Sequence, residues 1–341
     1  MNRTIDTRVP DDAFRPLAHG AASAEPDFPP ALSFAQDAWR RLKRNRAAML
    51  SLLLLSVIGL CAFLAPLLAP YDPNEQHLAC RNLPPKIPGV SIPGLNGYAT
   101  LRGRSYDAYA QAGAGEGVYF LLGTDEFGRD LLSRLLYGTR ISLVIALVAA
   151  LLDLTLGVAY GLLSGMRGGR VDSVMQRALE ILSGIPSLVL VVLMLLVFEP
   201  GMTSIILALS LTAWIPMARI VRAKTLELKQ LEYVQAARAL GQSDAKIALT
   251  HVLPNISGVV VVRAMFSIPG AIFFETFLSF IGVGMKIPNA SIGTLLNGGY
   301  KVFKLYPSQM FIPTILLCVI MLSFNMLADG LRDVFDPKMK E

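Results

Sequence analysis

Six long apolar runs separated by polar stretches constrain this chain more than any other feature. They lie at about 47–68, 141–163, 181–198, 202–218, 256–284 and 310–327. A helix crosses the hydrocarbon core of a bilayer with about 20 apolar residues, so each run is read as one transmembrane helix. Of the 341 residues, 53% are hydrophobic and only 16% are charged, against roughly 25% charged in soluble domains. The fold class expected is an all-α integral membrane protein with six transmembrane helices.

Charge sets the orientation. Arg40, Arg41, Lys43, Arg44 and Arg46 crowd against the first run, and basic residues flanking spans collect on the cytoplasmic side. The N-terminus is therefore expected in the cytoplasm, and six crossings return the C-terminus there. Arg167, Arg170 and Arg177 after the second run, and Arg219, Arg222 and Lys224 after the fourth, fall on the same side. This arrangement accounts for the net charge of +6 without a nucleic-acid partner, and no stripe of aromatic and basic residues offers to stack bases. The first run starts beyond the position of a cleavable signal, so it is expected to stay as an anchor.

The chain divides accordingly. Residues 1–34, rich in Pro, Ala and Asp, are expected to be a disordered cytoplasmic tail. Residues 35–70 carry the basic approach and first span, and 71–140 form an external loop. Residues 141–337 hold the core of five further spans, with a cytoplasmic loop at 219–255, and 338–341 end the chain in the cytoplasm. Late in the external loop, Asp130 is placed to cap a short helix with Leu131, Leu135 and Leu136 on one face and Gly138 closing it. It is read as an amphipathic helix on the outer surface before the second span.

Several chemistries are not expected. Gly123 and Gly128 are spaced as in a phosphate-binding loop, but Arg129 and Asp130 stand where Lys and Ser or Thr are needed. Asp125 and Glu126 would also repel phosphate, so no ATP site is expected on this chain. Those carboxylates with Asp130 are explained more simply by capping and local ion pairs than by calcium. Cys61, Cys80 and Cys318, and His19, His77 and His251, are scattered, which predicts neither a disulfide nor a metal site.

Charges inside the apolar runs stand out, because each costs about 2.5–3.5 kcal/mol there. Asp153 and Glu275 are the candidates for intramembrane pathway or gate groups. A role in the bundle or a gate is expected for Glu275. Asp153 is read either as a packed polar residue or as a group facing a cavity. Arg263, near the cytoplasmic end of its run, is expected to snorkel outward.

The most informative polar stretch is 232–255, EYVQAARALGQSDAKIALTHVLPN. Tyr233, Ala236, Ala237 and Leu240 recur at helical spacing and predict one apolar stripe. Gly241 sits where a helix closes on a left-handed residue. Ser243 offers an N-cap to a second helix that is expected to run until Pro254.

This stretch resembles the coupling loop of permease subunits in ATP-binding-cassette importers, in which a Glu-Ala-Ala triplet is followed by a Gly and a Leu-Pro. Here the residues are Gln235-Ala236-Ala237, Gly241 and Leu253-Pro254, with Glu232, Tyr233 and Leu240 completing the candidate ATPase-coupling surface. Gln235 departs from the usual Glu, and His251 from an aliphatic residue. The stretches WRRLKRNRAAML, LGTDEFGRDLLSRLLYGTRISL, GMRGGRVD, ETFLSFIGVG and NMLADGLRDVFDP look like the C-type permease subunit of dipeptide, oligopeptide and nickel importers. Ser291-Ile292-Gly293 departs from a Trp-Gly pair common in that class.

The resemblance implies a type I importer permease fold in the bacterial cytoplasmic (inner) membrane. It implies a heterodimer with a second, homologous permease subunit, two ATP-binding subunits on the cytoplasmic loops and an extracytoplasmic substrate-binding protein. ATP and Mg would be bound by the ATPase subunits, leaving no cofactor and no catalytic residue on this chain. Peptides are the expected substrate, since no His/Cys-lined path suits nickel; nickel or another small solute is the alternative within the class. From other classes, a self-sufficient secondary transporter is disfavoured by the absence of discontinuous helices recurring in two matching halves. A non-transporting scaffold is disfavoured by the buried carboxylates.

Overall fold

The computed structural model describes residues 34–335 apart from 102, 103, 116 and 287. The expected tails at 1–34 and 338–341 lie outside the described residues, residue 34 excepted. Among the described residues, five helical segments are long and apolar enough to cross a membrane, and a bent helix pair supplies a sixth crossing if counted as one span. The described residues open with helix α1 (Phe34–Arg44), whose buried Leu42 packs against Leu327 of the last described helix. Asn45 then caps α2 (Arg46–Phe63), its Oδ1 accepting from the Ala48 N–H at 3.1 Å. A short α3 (Ala65–Leu68) ends the first crossing.

The external loop is a folded lobe rather than an irregular connection, and it adds strands to a chain expected to be all-α. Strands β1 (Tyr98–Leu101) and β2 (Arg104–Asp107) form an antiparallel hairpin followed by α4 (Ala108–Gln111). Leu83, Ala108, Tyr109 and Phe120 close a small core beneath them. Polar anchors fix the lobe to the membrane helices. The Gln309 amide donates to the Asn82 side chain and the Thr124 carbonyl, both at 3.0 Å. Arg134 donates to the carbonyls of Pro73 at 2.9 Å and Pro288 at 3.2 Å.

The surface helix expected before the second span proves to be the start of that span. Helix α5 (Leu131–Leu152), a π-helical turn at Asp153–Gly157 and α6 (Val158–Arg167) run as one 37-residue segment, about 55 Å long at 1.5 Å per residue. Asp130 caps it as expected, accepting from the Ser133 N–H at 2.7 Å. Gly138 does not close it. The backbone of Ser291 lies where a side chain at 138 would begin, so this glycine serves close packing. Farther along the segment, Gly157, Gly161 and Gly165 face Met217, Val221 and Thr225, the small-residue contact by which membrane helices approach.

The third crossing is broken. Helix α7 (Gly169–Gly184) and α8 (Ser187–Val197) meet at 77°, because Pro186 forces its predecessor out of the helical region and Ile185 is extended at ψ 124°. Alone, the 11 residues of α8 reach about 16 Å, half the thickness of a bilayer core. Helices α9 (Met202–Thr212) and α10 (Ile215–Leu228) form the fourth crossing and carry it past residue 218 into the cytoplasmic region.

Two short cytoplasmic helices follow, α11 (Glu232–Ala239) and α12 (Asp244–Ile247). Pro254 does not end the second of them. A π turn at Ala248–Val252 leads directly into α13 (Leu253–Phe280), so Asp244–Phe280 is another 37-residue segment. Pro254 follows directly on that π turn, at the second residue of α13. Outside the membrane, Ser291 and Thr294 form a capping box for α14 (Ile292–Val302), and α15 (Ser308–Phe335) returns the chain inward. The main core joins α5, α9, α13, α14 and α15 through Ile145, Ile205, Ile272, Ile292 and Ile320. A second core lies at the cytoplasmic end.

Candidate functional site

The second core explains how α11 is held. Val234 and Ala237, on its inner face, pack with Leu162 and Met166 of α6, Met217 and Val221 of α10, and Ile247, Val252 and Ile256 around the start of α13. The short helix thus shares one apolar core with three transmembrane segments. The expected stripe is split by this arrangement. Ala237 turns inward, whereas Tyr233, Ala236 and Leu240 are exposed, Leu240 at 86%. With Leu231 and Leu249 also exposed, they leave an apolar surface that nothing among the described residues covers. Gln235 and Glu232 lie on the exposed side as well, and Gln235 reaches the Lys229 carbonyl at 3.3 Å.

Gly241 closes α11 as expected, at φ +83°. Its N–H donates to the Arg238 carbonyl and that of Gln242 to the Ala237 carbonyl, the paired bonds of a Schellman cap. Ser243 caps α12, accepting from the Lys246 N–H at 3.4 Å, and Arg238 pairs with Asp244 at 2.9 Å across the turn. His251 contacts the Gln242 side chain at 3.2 Å and its ring meets Tyr233 edge-on. Leu253 is half-buried and Pro254 exposed, so the Leu-Pro pair marks the entry to α13 rather than a loop end.

Sequence reasoning missed the clamp behind this surface. Asp172 of α7 receives both Nε and Nη2 of Arg222 on α10, at 2.5 and 2.6 Å, and the Ser164 hydroxyl of α6 at 2.5 Å. Lys229 adds a bond to the Met166 carbonyl at 2.7 Å, satisfying the end of α6. Arg222 was legible only as a topology signal, because its partner lies 50 residues away.

The two intramembrane carboxylates occupy different surroundings. Glu275 is fully buried and accepts from Ser142 at 2.7 Å and Ser279 at 2.8 Å. Ser142 also accepts from the Ile292 N–H at 3.4 Å, so Glu275 joins α13, α5 and the start of α14. The spacing of Glu275 and Ser279 was readable on one helix face; the Ser142 partner was not. Asp153, only 1% exposed, accepts from the Ser267 hydroxyl through Oδ2, while its Oδ1 has no partner. It lines a cavity of about 370 Å³ with Ser187, Thr212, Arg263 and Phe274. Arg263 does not snorkel away: it faces this cavity, and its Nε is buried without a partner. Asp125, proposed for capping and ion pairing, meets Arg129 at 2.7 Å and Arg134 at 3.4 Å.

A bundle of membrane-spanning helices with a helical platform at one end, and with charged groups on a half-open pocket, defines a multi-pass membrane protein. Comparison with known proteins places it further. Residues 157–341 match the family described as the inner membrane component of binding-protein-dependent transport systems. Residues 33–85 match the N-terminal transmembrane domain of oligopeptide transport permease C. The chain is 44% identical to the dipeptide transport system permease protein DppC of Lactococcus lactis, over 94% of this chain and 96% of that one. It is 40% identical to the oligopeptide transport system permease protein OppC of Escherichia coli, over 90% of this chain and 92% of that one. A solved structure of the MetNI methionine ABC transporter, in inward-facing conformations, shares the fold at a TM-score of 0.51 and 20% identity, covering 60% of this chain and 97% of that one. The chain belongs to the family of inner-membrane permease components of binding-protein-dependent transport systems. A secondary transporter and a passive scaffold are set aside by that membership.

Proposed function

We propose that this chain is one of two homologous permease subunits of an ATP-driven peptide importer in a bacterial inner membrane, with α11 as its coupling helix. The observation that carries the coupling assignment is the division of α11 into two faces. Val234 and Ala237 set it in an apolar core shared with three transmembrane segments, and Tyr233, Ala236 and Leu240 are left for a partner. A helix held this way passes displacement of its outer face to the spans, because packed interiors transmit strain. An ATPase subunit is the partner proposed, with ATP and Mg bound there, and a substrate-binding protein docks on the external lobe. Peptide is favoured as the substrate by relatives named for dipeptide and oligopeptide transport.

The test is purification followed by reconstitution. The tagged chain is expected to bring down a second permease and P-loop ATPases from its native membrane. In proteoliposomes with its binding protein, the complex is expected to accumulate labelled dipeptide at the expense of ATP. Uptake of nickel without uptake of peptide would reassign the substrate, and a chain that purifies without ATPases would remove the coupling role.

A further inference from the structure

Arg263 and Asp153 are opposite charges on one cavity that do not close on each other. Asp153 opens the π turn of its segment, an irregularity that often accompanies function. One of its oxygens is tied to Ser267, one turn beyond Arg263 on α13. Its other oxygen and the Arg263 Nε are both buried without a partner. Unpartnered buried polar atoms each cost about 1–3 kcal/mol, and more when charged. Of the intramembrane carboxylates, Glu275 is satisfied within the bundle by hydroxyl groups, whereas Asp153 keeps a buried acceptor without a partner among the described residues, beside the cavity.

We propose that this cavity is a recognition site for the two charged ends of a short peptide, Arg263 taking the α-carboxylate and Asp153 the α-ammonium. The inference rests on the peptide reading above. Every unblocked peptide shares these two groups whatever its side chains, so a site that reads them suits a carrier of varied sequences. Guanidinium and carboxylate make the stronger, charge-assisted hydrogen bonds to such groups. The cavity of about 370 Å³ lies within the ~300–1,000 Å³ range of small-molecule sites. Taken as a cube it is about 7 Å on a side, and two extended residues span about 7 Å. Leu209, Phe266 and Phe274 give the rest of the wall an apolar surface, Ala149, Ala213 and Gly270 leave room beside them, and nothing lies within 4 Å of where a side chain at 270 would begin.

Gly270→Cys, in a background with Cys61, Cys80 and Cys318 replaced, places a reporter thiol on the cavity wall. Ala213→Cys is the second reporter, used if the first does not assemble. The assembled transporter is placed in nanodiscs without the binding protein, so that protein's selectivity does not enter. Alkylation of the thiol is then followed with increasing Ala-Ala, N-acetyl-Ala-Ala or Ala-Ala-amide. Ala-Ala is expected to protect, and each blocked peptide to need at least about tenfold more, the loss of one charge-assisted bond. Asp153→Asn is expected to erase discrimination against the acetylated peptide alone, and Arg263→Gln discrimination against the amide alone. A structural role for either residue predicts no such pairing of variant with blocked end. Equal protection by all three peptides, or none by any, overturns the proposal. Uptake of Ala-Ala by the wild-type complex with its binding protein is measured in parallel. If that uptake is present and selective protection absent, only this inference fails; if no peptide is taken up, the peptide reading itself has failed.

Discussion

Glu275 has no route to water, and its neighbours say what it does. Both carboxylate oxygens are held by hydroxyls, Oε2 by Ser142 and Oε1 by Ser279. Glu275→Gln keeps an acceptor and a donor of the same shape, so assembly and uptake are expected to persist. Glu275→Leu leaves two hydroxyls buried among apolar atoms, at about 1–3 kcal/mol each, and is expected to lower both the thermal stability of the purified complex and its uptake. Normal melting and normal import by the leucine variant would show that the carboxylate does not hold α5 to α13. Asp153 is the contrasting case, because the bundle satisfies one of its oxygens through Ser267 and leaves the other buried without a partner among the described residues, beside the pocket. From sequence, a bundle or gate role is expected for Glu275, while Asp153 stays open between packing and a cavity. Only their partners, 133 residues away for Glu275 and 114 for Asp153, separate them.

At the scale of elements, α11 yields the sharpest predictions, three of them. Leu240 is 86% exposed, and substitutions at such positions usually change stability by no more than about 0.5 kcal/mol. Leu240→Asp is therefore expected to leave the permease inserted and folded while weakening ATPase docking or lowering uptake per ATP. Ala237→Trp acts from the other side. Its bulk would enter the cytoplasmic core, where overpacking costs about 1–3 kcal/mol, and the expected result is loss of complex stability before loss of coupling. Gly241→Val, at φ +83°, adds about 1–2 kcal/mol of backbone strain and should disorder the cap joining α11 to α12. Reconstituted complexes report all three through ATP turnover, uptake and integrity by size. Unchanged uptake per ATP in Leu240→Asp would free this surface from the coupling role. Caps such as Asp130, Ser243 and Gly241 were legible because their partners lie within a few residues. Gly138 and Pro254 were misread as stops because the same residues also serve close packing and helix entry. The chain decides between those uses with contacts that sequence spacing does not carry, Ser291 against Gly138 being 153 residues away. Arg263 was misplaced for the same reason, its distance from the end of a run saying nothing about the cavity beside it.

On the scale of the whole molecule, length sets the topology test. Two 37-residue segments are about 55 Å long, and the hydrocarbon core is about 30 Å thick, so roughly 25 Å of each stands outside it. Those projecting ends build the external lobe's seat at one face and the platform under α11 at the other. The apolar spans and the basic clusters then demand that α4 and α12 lie on opposite sides of the membrane. Single cysteines test this at Ala110 in α4 and at Ser243 before α12, both exposed, in a background lacking Cys61, Cys80 and Cys318. Replacing Ser243 removes a cap worth about 1 kcal/mol, which a helix continuous with α13 is expected to withstand. In intact cells, an impermeant thiol reagent should label Ala110→Cys and leave Ser243→Cys untouched until the inner membrane is opened. The bent third crossing makes this measurement decisive. If α7 and α8 turned back without crossing, the chain between them and the C-terminus would be inverted, and Ser243→Cys would label in intact cells together with Ala110→Cys. The basic residues Arg219, Arg222 and Lys224 would then face outward against the charge rule. Labelling of Ser243→Cys only after opening is thus the outcome that fixes six crossings and puts α11 where a cytoplasmic ATPase can reach it.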